Sequence, residues 1–235
     1  MATTLVLWDI DHTLIETRGV GGEIYADAFQ AVTGHPLKEM PALSGRTEPV
    51  IFREALKANG VTDTGDLYQQ FAEEQARGYA DRIDELRRRG RALPGAEDAL
   101  RALAERDDVI QSVLTGNTRP VAEIKLRAFG LNSYLDFDSG AYGTDDDTRA
   151  NLVKIARQRA KAAHGSRFDA AATILIGDTP NDVIAARDGG ARVIAVASGS
   201  NSTSELAEAG ADTVLEALTQ TGQLLTAIHG GQHPK

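Results

Sequence analysis

The chain has 235 residues, enough to bury a full core in one large domain or in a domain that carries a smaller inserted one. Its 34 acidic and 25 basic residues give a net charge of -9, which argues against nucleic acid or an anionic membrane as partner but leaves room for a local positive patch around an anionic ligand. Cysteine is absent, which excludes disulfide frameworks, thiolate catalysis and cysteine-based zinc sites.

The start, MATTLVLWDID, has no basic residue, and Asp9 breaks its apolar run. It reads as neither a signal peptide nor a membrane span, and the expected location is the cytoplasm. Leu5 to Ile10 predicts a strand buried on both faces. Asp9 and Asp11 then leave its end on the same side, where two like charges need water, a metal ion or a shared proton between them. Residues 16–91 read as helices, in GEIYADAFQAVTG, TEPVIFREALKANG and DLYQQFAEEQARGYADRIDELRRRG, with no strand-like run among them. Gly19, Gly21 and Gly22 in TRGVGGE provide a flexible hinge or a close backbone approach; they are not a dinucleotide fingerprint, because no strand leads into them. LPG at 93–95 marks the return to the sheet.

Beyond that point helices and strands alternate: EDALRALAERD, VIQSVLTG, PVAEIKLRAFG, TILIGD, NDVIAARDGGA, RVIAVAS and the short ADTVL. The alternation predicts an α/β fold, a doubly wound parallel sheet. About 100 residues separate Asp9 from the second strand at Val109, against ~30 for a simple strand-helix-strand unit, so a second, smaller all-helical domain is inserted after the first strand. The expected division is a core of residues 1–15 and 92–228, an insertion of 16–91, and a frayed tail, HGGQHPK, at 229–235.

In an open parallel sheet, ligands bind beyond the carboxyl ends of the strands. The first strand delivers Asp9 and Asp11 there, SVLTGNT delivers Thr115 and Asn117, and TILIGDTPND delivers Asp178 and Asp182. Local structure accounts for some of these: Thr115-Gly116-Asn117 is a turn into a helix that Pro120 helps to start, Thr179 is a good N-cap and Pro180 a good first helical residue. It does not account for Asp178, and Asp182 sits four positions on, where a helical turn brings it back to the same place. Carboxylates converging in one crevice require a cation, and all-oxygen ligation selects Mg²⁺.

In order and spacing, these residues resemble the haloacid dehalogenase-like hydrolase superfamily. Asp9-Ile10-Asp11-His12-Thr13 is similar to its first motif, DxDxT. Leu114-Thr115-Gly116-Asn117 is similar to its second, and Gly177 to Asp182 to its fourth, GDxxxD. LSGRT at 43–47 and LPGAEDAL at 93–100 resemble segments of the phosphoglycolate-phosphatase-like branch, whose helical insertion forms a cap. The resemblance implies a Mg²⁺-dependent phosphatase. Asp9 is then the nucleophile that forms an aspartyl-phosphate, and Asp11 the acid and base, a role suited to a carboxyl with a raised pKa beside a like charge. Mg²⁺ is held by Asp9, the backbone carbonyl of Asp11 and Asp178, with Asp182 in direct contact or just behind. Thr115, Gly116 and Asn117 hold the phosphoryl oxygens.

The sequence departs from the family pattern twice. His12 stands where the family has glycine, which implies an altered turn; His12 reads as an exposed loop histidine, with a catalytic histidine as the alternative. The third motif, a lysine or arginine before a helix, has no GKP form in YGTDDDTRANLVKIA; Arg149 is the first candidate for its cation and Lys154, which also reads as a solvated helix-face lysine, the second. Arg46 in SGRT either reaches a substrate anion or serves as a capping or surface arginine. The expected partner is a small phosphorylated metabolite, phosphoglycolate- or sugar-phosphate-like, bound by a monomer or homodimer; with 5% aromatic residues there is no base-stacking platform. The alternative function is a phosphomutase with the same nucleophile. A receiver-type signalling domain fits less well, being about half this length and without an insertion, and a dehalogenase would lack the second aspartate.

Overall fold

The computed structural model describes residues 4–63 and 65–230. Five parallel strands form the central sheet: β1 (Thr4–Trp8), β4 (Val109–Val113), β5 (Thr173–Gly177), β6 (Arg192–Val196) and β7 (Thr213–Leu215), in the order β4-β1-β5-β6-β7. β1 lies between two partners, with Leu7 opposite Ser112 on one side and Leu175 on the other. Alternation along β1 explains why its sequence is continuously apolar. Val6 and Trp8 face a core shared with α5 (Ala96–Ala104), α6 (Arg119–Ala128) and α10 (Thr221–His229). Leu5 and Leu7 face the opposite core, shared with α7 (Arg149–His164), α8 (Pro180–Gly189) and α9 (Thr203–Glu208). The chain is thus the doubly wound α/β fold expected from the pattern.

Between β1 and α5 the chain leaves and re-enters through a short antiparallel pair, β2 (Ile15–Glu16) and β3 (Arg91–Ala92), in which Ile15 faces Ala92. The intervening helices are α1 (Val20–Thr33), α2 (Glu48–Ala58), α3 (Leu67–Asp81) and α4 (Ile83–Arg89). They bury a core of their own around Tyr25, Phe29, Phe52 and Phe71, in which Phe52 stacks on Phe71 at 4.5 Å between ring centroids. Such rings contribute both buried area and preferred geometry. The helix expected over 66–90 is two helices. Arg82, at φ −103° and ψ 19°, breaks it while its guanidinium binds Glu85 and Glu23. The bend lets Ile83 and Leu86 pack with Val20, Ile24 and Tyr79 against Val121 and Ala128 of α6. At the other end, His229 belongs to α10 rather than to a tail, its ring Nδ1 2.6 Å from the Leu225 carbonyl oxygen, and Gly230 follows as C-cap; residues 231–235 lie outside the described residues. Among the described residues, no helix is long and apolar enough to cross a membrane.

Candidate active site

β1 ends at Trp8, and the next residues fold into a tight turn in which the Ile10 carbonyl accepts from the amides of Leu14 and Ile15. His12 sits in that turn at φ 61°, the left-handed region that glycine enters freely and other residues only at a cost of about 1–2 kcal/mol. His12 is exposed and holds a left-handed position that glycine would adopt without this cost. Asp9 and Asp11 both emerge into one cavity, although both lie beyond the end of β1, where the turn and not strand alternation sets their direction.

Around Asp9 the structure assembles groups from three strand ends. An Arg149 guanidinium nitrogen lies 2.8 Å from Asp9 and 2.7 Å from Asp182, and all three side chains are buried. Arg149 is the first residue of α7, and its fork joins two carboxylates that would otherwise repel. Asp182 also closes the capping box of α8: its second oxygen accepts from the Thr179 amide at 3.1 Å and hydroxyl at 2.7 Å. A side chain on Gly177 would collide with the Asp182 carboxyl, so the glycine of GDTPND permits this approach. Asp178 accepts from the Thr13 hydroxyl at 3.2 Å.

Oxygen atoms of Asp9, Asp178 and Asp182 lie within 4.8 Å of one another. Burial lifts Asp9 to about 7 against the opposing charge of Arg149, with Asp182 adding to the rise. Burial, then the charges of Asp9 and Asp182, lift Asp178 to about 8. Buried carboxylates so arranged hold protons unless a cation replaces them, and an all-oxygen donor set suits Mg²⁺. Asp9 and Asp178 fit that role. Asp182, with both oxygens engaged by protein donors, fits a place behind them.

Asp11 is held differently. Its carboxylate accepts from Lys125 Nζ at 2.8 Å on both oxygens and from Asn117 Nδ2 at 2.7 Å. Lys125 also donates to Asn117 Oδ1 at 2.7 Å, and Asn117 Nδ2 to the Thr115 hydroxyl at 2.7 Å. Burial alone would raise Asp11, but the Lys125 charge and these hydrogen bonds outweigh it and hold the carboxyl below its ordinary range. This corrects the raised pKa expected for an acid beside a like charge: a buried ammonium offsets Asp9. Lys125 was missed in the sequence. The signal for it is its position on the apolar stripe of α6, with Val121, Ala122 and Leu126, where an unpaired lysine is almost never tolerated.

The remaining candidates separate clearly. Lys154 is exposed, donates to Asn151 at 3.2 Å and does not line the cavity. Arg46 does line it, yet its guanidinium is taken by both Glu54 oxygens and the Ala42 carbonyl. Its main chain matters more. A side chain on Gly116 would collide with the Arg46 carbonyl oxygen, the Glu48 amide donates to Gly116 O at 2.9 Å, and Asn181 Nδ2 donates to Ser44 O at 3.0 Å. Residues 44–48 are thereby pressed onto the loops at the sheet's carboxyl edge. Of the three N-terminal glycines, Gly19 opens α1 at φ 88°, Gly21 approaches the Tyr79 hydroxyl and Gly22 has open space around it. Between insertion and sheet lies a cavity of about 320 Å³, lined at its floor by Asp9, Asp11, Thr115, Asn117, Arg149 and Asp178.

A doubly wound sheet whose strand ends bring together Asp9, Asp11, Thr115, Arg149 and Asp178 defines a hydrolase-type centre. The family described as haloacid dehalogenase-like hydrolase matches over residues 6–187, and the chain belongs to it. The phosphoglycolate phosphatase, plasmid, of Cupriavidus necator is 29% identical over 229 residues, which span 95% of this chain and 93% of that one. A hydrolase from Pseudomonas syringae superposes with a TM-score of 0.70 at 22% identity, over 96% of this chain and 99% of its own. CbbY from Rhodobacter sphaeroides, solved in complex with phosphate, does so with a TM-score of 0.68 at 19% identity, over 94% and 96%.

Proposed function

We propose that the protein is a Mg²⁺-dependent phosphatase that hydrolyses a small phosphorylated metabolite through an aspartyl-phosphate on Asp9. The observation that carries this reading is the placement of two carboxylates, each with its own buried cationic partner, just beyond one strand end. Asp9 is buried against Arg149, while Asp11, two residues on, is held as a carboxylate by Lys125 and Asn117. A cation bound at Asp9 and Asp178 would replace the proton that burial favours there and free Asp9 to attack, while Asp11 takes up the proton it gives only against the pull of Lys125.

In this reading, Asp9 and Asp178 hold the Mg²⁺ together with the Asp11 backbone carbonyl, and Asp182 supports them through Arg149 and its cap. The bound ion would neutralise phosphoryl charge as one anion approaches another. Asp9 attacks phosphorus, with Arg149 fixing its carboxylate and balancing charge. The Thr115 hydroxyl and the amides of Gly116 and Asn117 receive the phosphoryl oxygens. Asp11 protonates the leaving oxygen, then takes a proton from the water that attacks the intermediate. The arriving phosphoryl dianion adds negative charge beside Asp11 and so favours the protonated form that the first step needs. The helical insertion, 16–91, acts as a cap that excludes water from the reaction.

The test is phosphate release from a panel of phosphomonoesters with Mg²⁺ and no sugar-phosphate activator, the latter condition separating a phosphatase from a phosphomutase. Wild-type protein is expected to release phosphate and folded Asp9→Asn to be inert, because an amide cannot form the acyl-phosphate. Turnover by folded Asp9→Asn would place the nucleophile elsewhere.

A further inference from the structure

The roof of the cavity, above the phosphoryl end, has a composition that bears on the rest of the substrate. Tyr25 of α1, Glu48 of α2 and Gln75 of α3 line it, and each is more than nine-tenths buried. Gln75 Nε2 donates to Glu48 Oε1 at 3.1 Å. Gln75 Oε1 and the Tyr25 hydroxyl have no hydrogen-bond partner among the described residues. Both atoms are closed to solvent behind the cavity wall, and because unpaired buried polar atoms cost free energy, a ligand group that reached them would recover it.

The charges point the same way. Among the described residues, every lysine and arginine side chain lining the cavity already serves an acid: Lys125 serves Asp11, Arg149 serves Asp9 and Asp182, and Arg46 serves Glu54. Glu48 has no such partner. Burial lifts it to about 7, although the Lys125 charge and the Gln75 hydrogen bond pull the other way. The roof therefore offers acceptors and an unneutralised acid, and it has no uncommitted lysine or arginine for a second anion.

We propose that Tyr25, Glu48 and Gln75 form a leaving-group subsite that selects phosphomonoesters whose alcohol portion carries hydrogen-bond donors, hydroxyl or ammonium, and no second anionic group. The proposal rests on the phosphatase reading and narrows it, separating this chain from phosphoglycolate, the compound that names the Cupriavidus relative. A carboxylate in the leaving group would face Glu48, whereas hydroxyls or an ammonium would occupy Glu48, Gln75 Oε1 and Tyr25. The cavity, about 320 Å³, is at the small end for ligand sites and suits a small polyol or amino alcohol.

The experiment compares kcat/KM with Mg²⁺ for ribose 5-phosphate and glycerol phosphate, for phosphoethanolamine, for phosphoglycolate, and for p-nitrophenyl phosphate, which has neither donors nor a second anion. The better donor-bearing substrate is expected to exceed phosphoglycolate by ~100-fold or more, since a site built around polar groups rejects what leaves them unpaired. Glu48→Gln should narrow that gap at least about tenfold, and it should cost phosphoethanolamine more than ribose 5-phosphate if the occupant is an ammonium. Gln75→Met should lower the donor-bearing substrates without improving phosphoglycolate. Hydrolysis of p-nitrophenyl phosphate with phosphoglycolate equal or preferred, or a ratio that Glu48→Gln leaves unchanged, overturns the subsite while the phosphatase reading stands. No release from any compound, p-nitrophenyl phosphate included, overturns that reading and the subsite with it.

Discussion

Replacing Arg149 with methionine, which keeps most of the side-chain volume and removes the charge, tests the centre most directly. Arg149, Asp9 and Asp182 have side chains only 8%, 11% and 0% exposed, so solvent cannot take over the role of the guanidinium. Breaking a buried pair by removing one partner costs roughly 3–5 kcal/mol. Asp9, already lifted to about 7, can relieve part of that cost by holding a proton, which favours the lower end, about 3 kcal/mol. For a chain of this size that corresponds to a fall in Tm of roughly 6–12 °C by calorimetry in metal-free buffer. Turnover should fall by about 10² or more, the scale of losing one electrostatic stabiliser. Arg149→Lys should be intermediate, because a single ammonium cannot present a planar fork to Asp9 and Asp182 together. Lys154→Ala should change neither quantity, since Lys154 is exposed and makes one contact to Asn151. An Arg149→Met variant with Tm within ~2 °C of wild type and turnover within about threefold would refute the reasoning, since both figures rest on a buried, unreplaced cation.

Magnesium should stabilise the protein more at pH 8 than at pH 5. The folded-state pKa values of Asp9 and Asp178 are raised, so the folded protein binds protons that the unfolded chain has released, and the stability these groups contribute falls as pH rises from about 4 to about 8. A bound cation takes the place of those protons, and thermal shifts of equal size at both pH values would contradict the assigned ligands. Lys125→Met removes the charge that holds Asp11 low, so the basic limb of kcat/KM, above which Asp11 lacks the proton it gives to the leaving oxygen, should move to higher pH; an unmoved limb would show that another group sets it. Gly116→Ala places a methyl against the Arg46 carbonyl and should lift residues 44–48 off the sheet edge. The expected result is a KM raised about tenfold with faster amide exchange over 44–52, and unchanged values of both would separate that contact from closure.

The acids at the site were legible because β-structure fixes their placement locally. Apolar runs ending at Asp9 and at Asp178 had to deliver both to the same edge of a parallel sheet, although Asp11 shares the cavity through the turn beyond β1 and not through strand alternation. The N-cap at Thr179 was likewise legible, but that Asp182 completes its capping box is a finding of the structure. The helical insertion followed from spacing alone, although its break at Arg82 did not, because one of the ion pairs that accompany the bend, to Glu23, involves a helix 59 residues away.

What only the tertiary structure decided is which charge meets which. Lys125 is 114 positions from Asp11, Arg149 is 33 from Asp182, and Glu48 is 27 from Gln75. Local sequence says that Lys125 lies on an apolar stripe, but not that the stripe faces the end of β1, where an ammonium turns Asp11 from the expected raised acid into a held carboxylate. Arg46, equally basic, is drawn instead to Glu54 eight residues on. Periodicity fixes the face from which a side chain projects; the partner it finds there is set by the packing of helices onto the sheet, and at low dielectric that partner decides whether a buried group is charged.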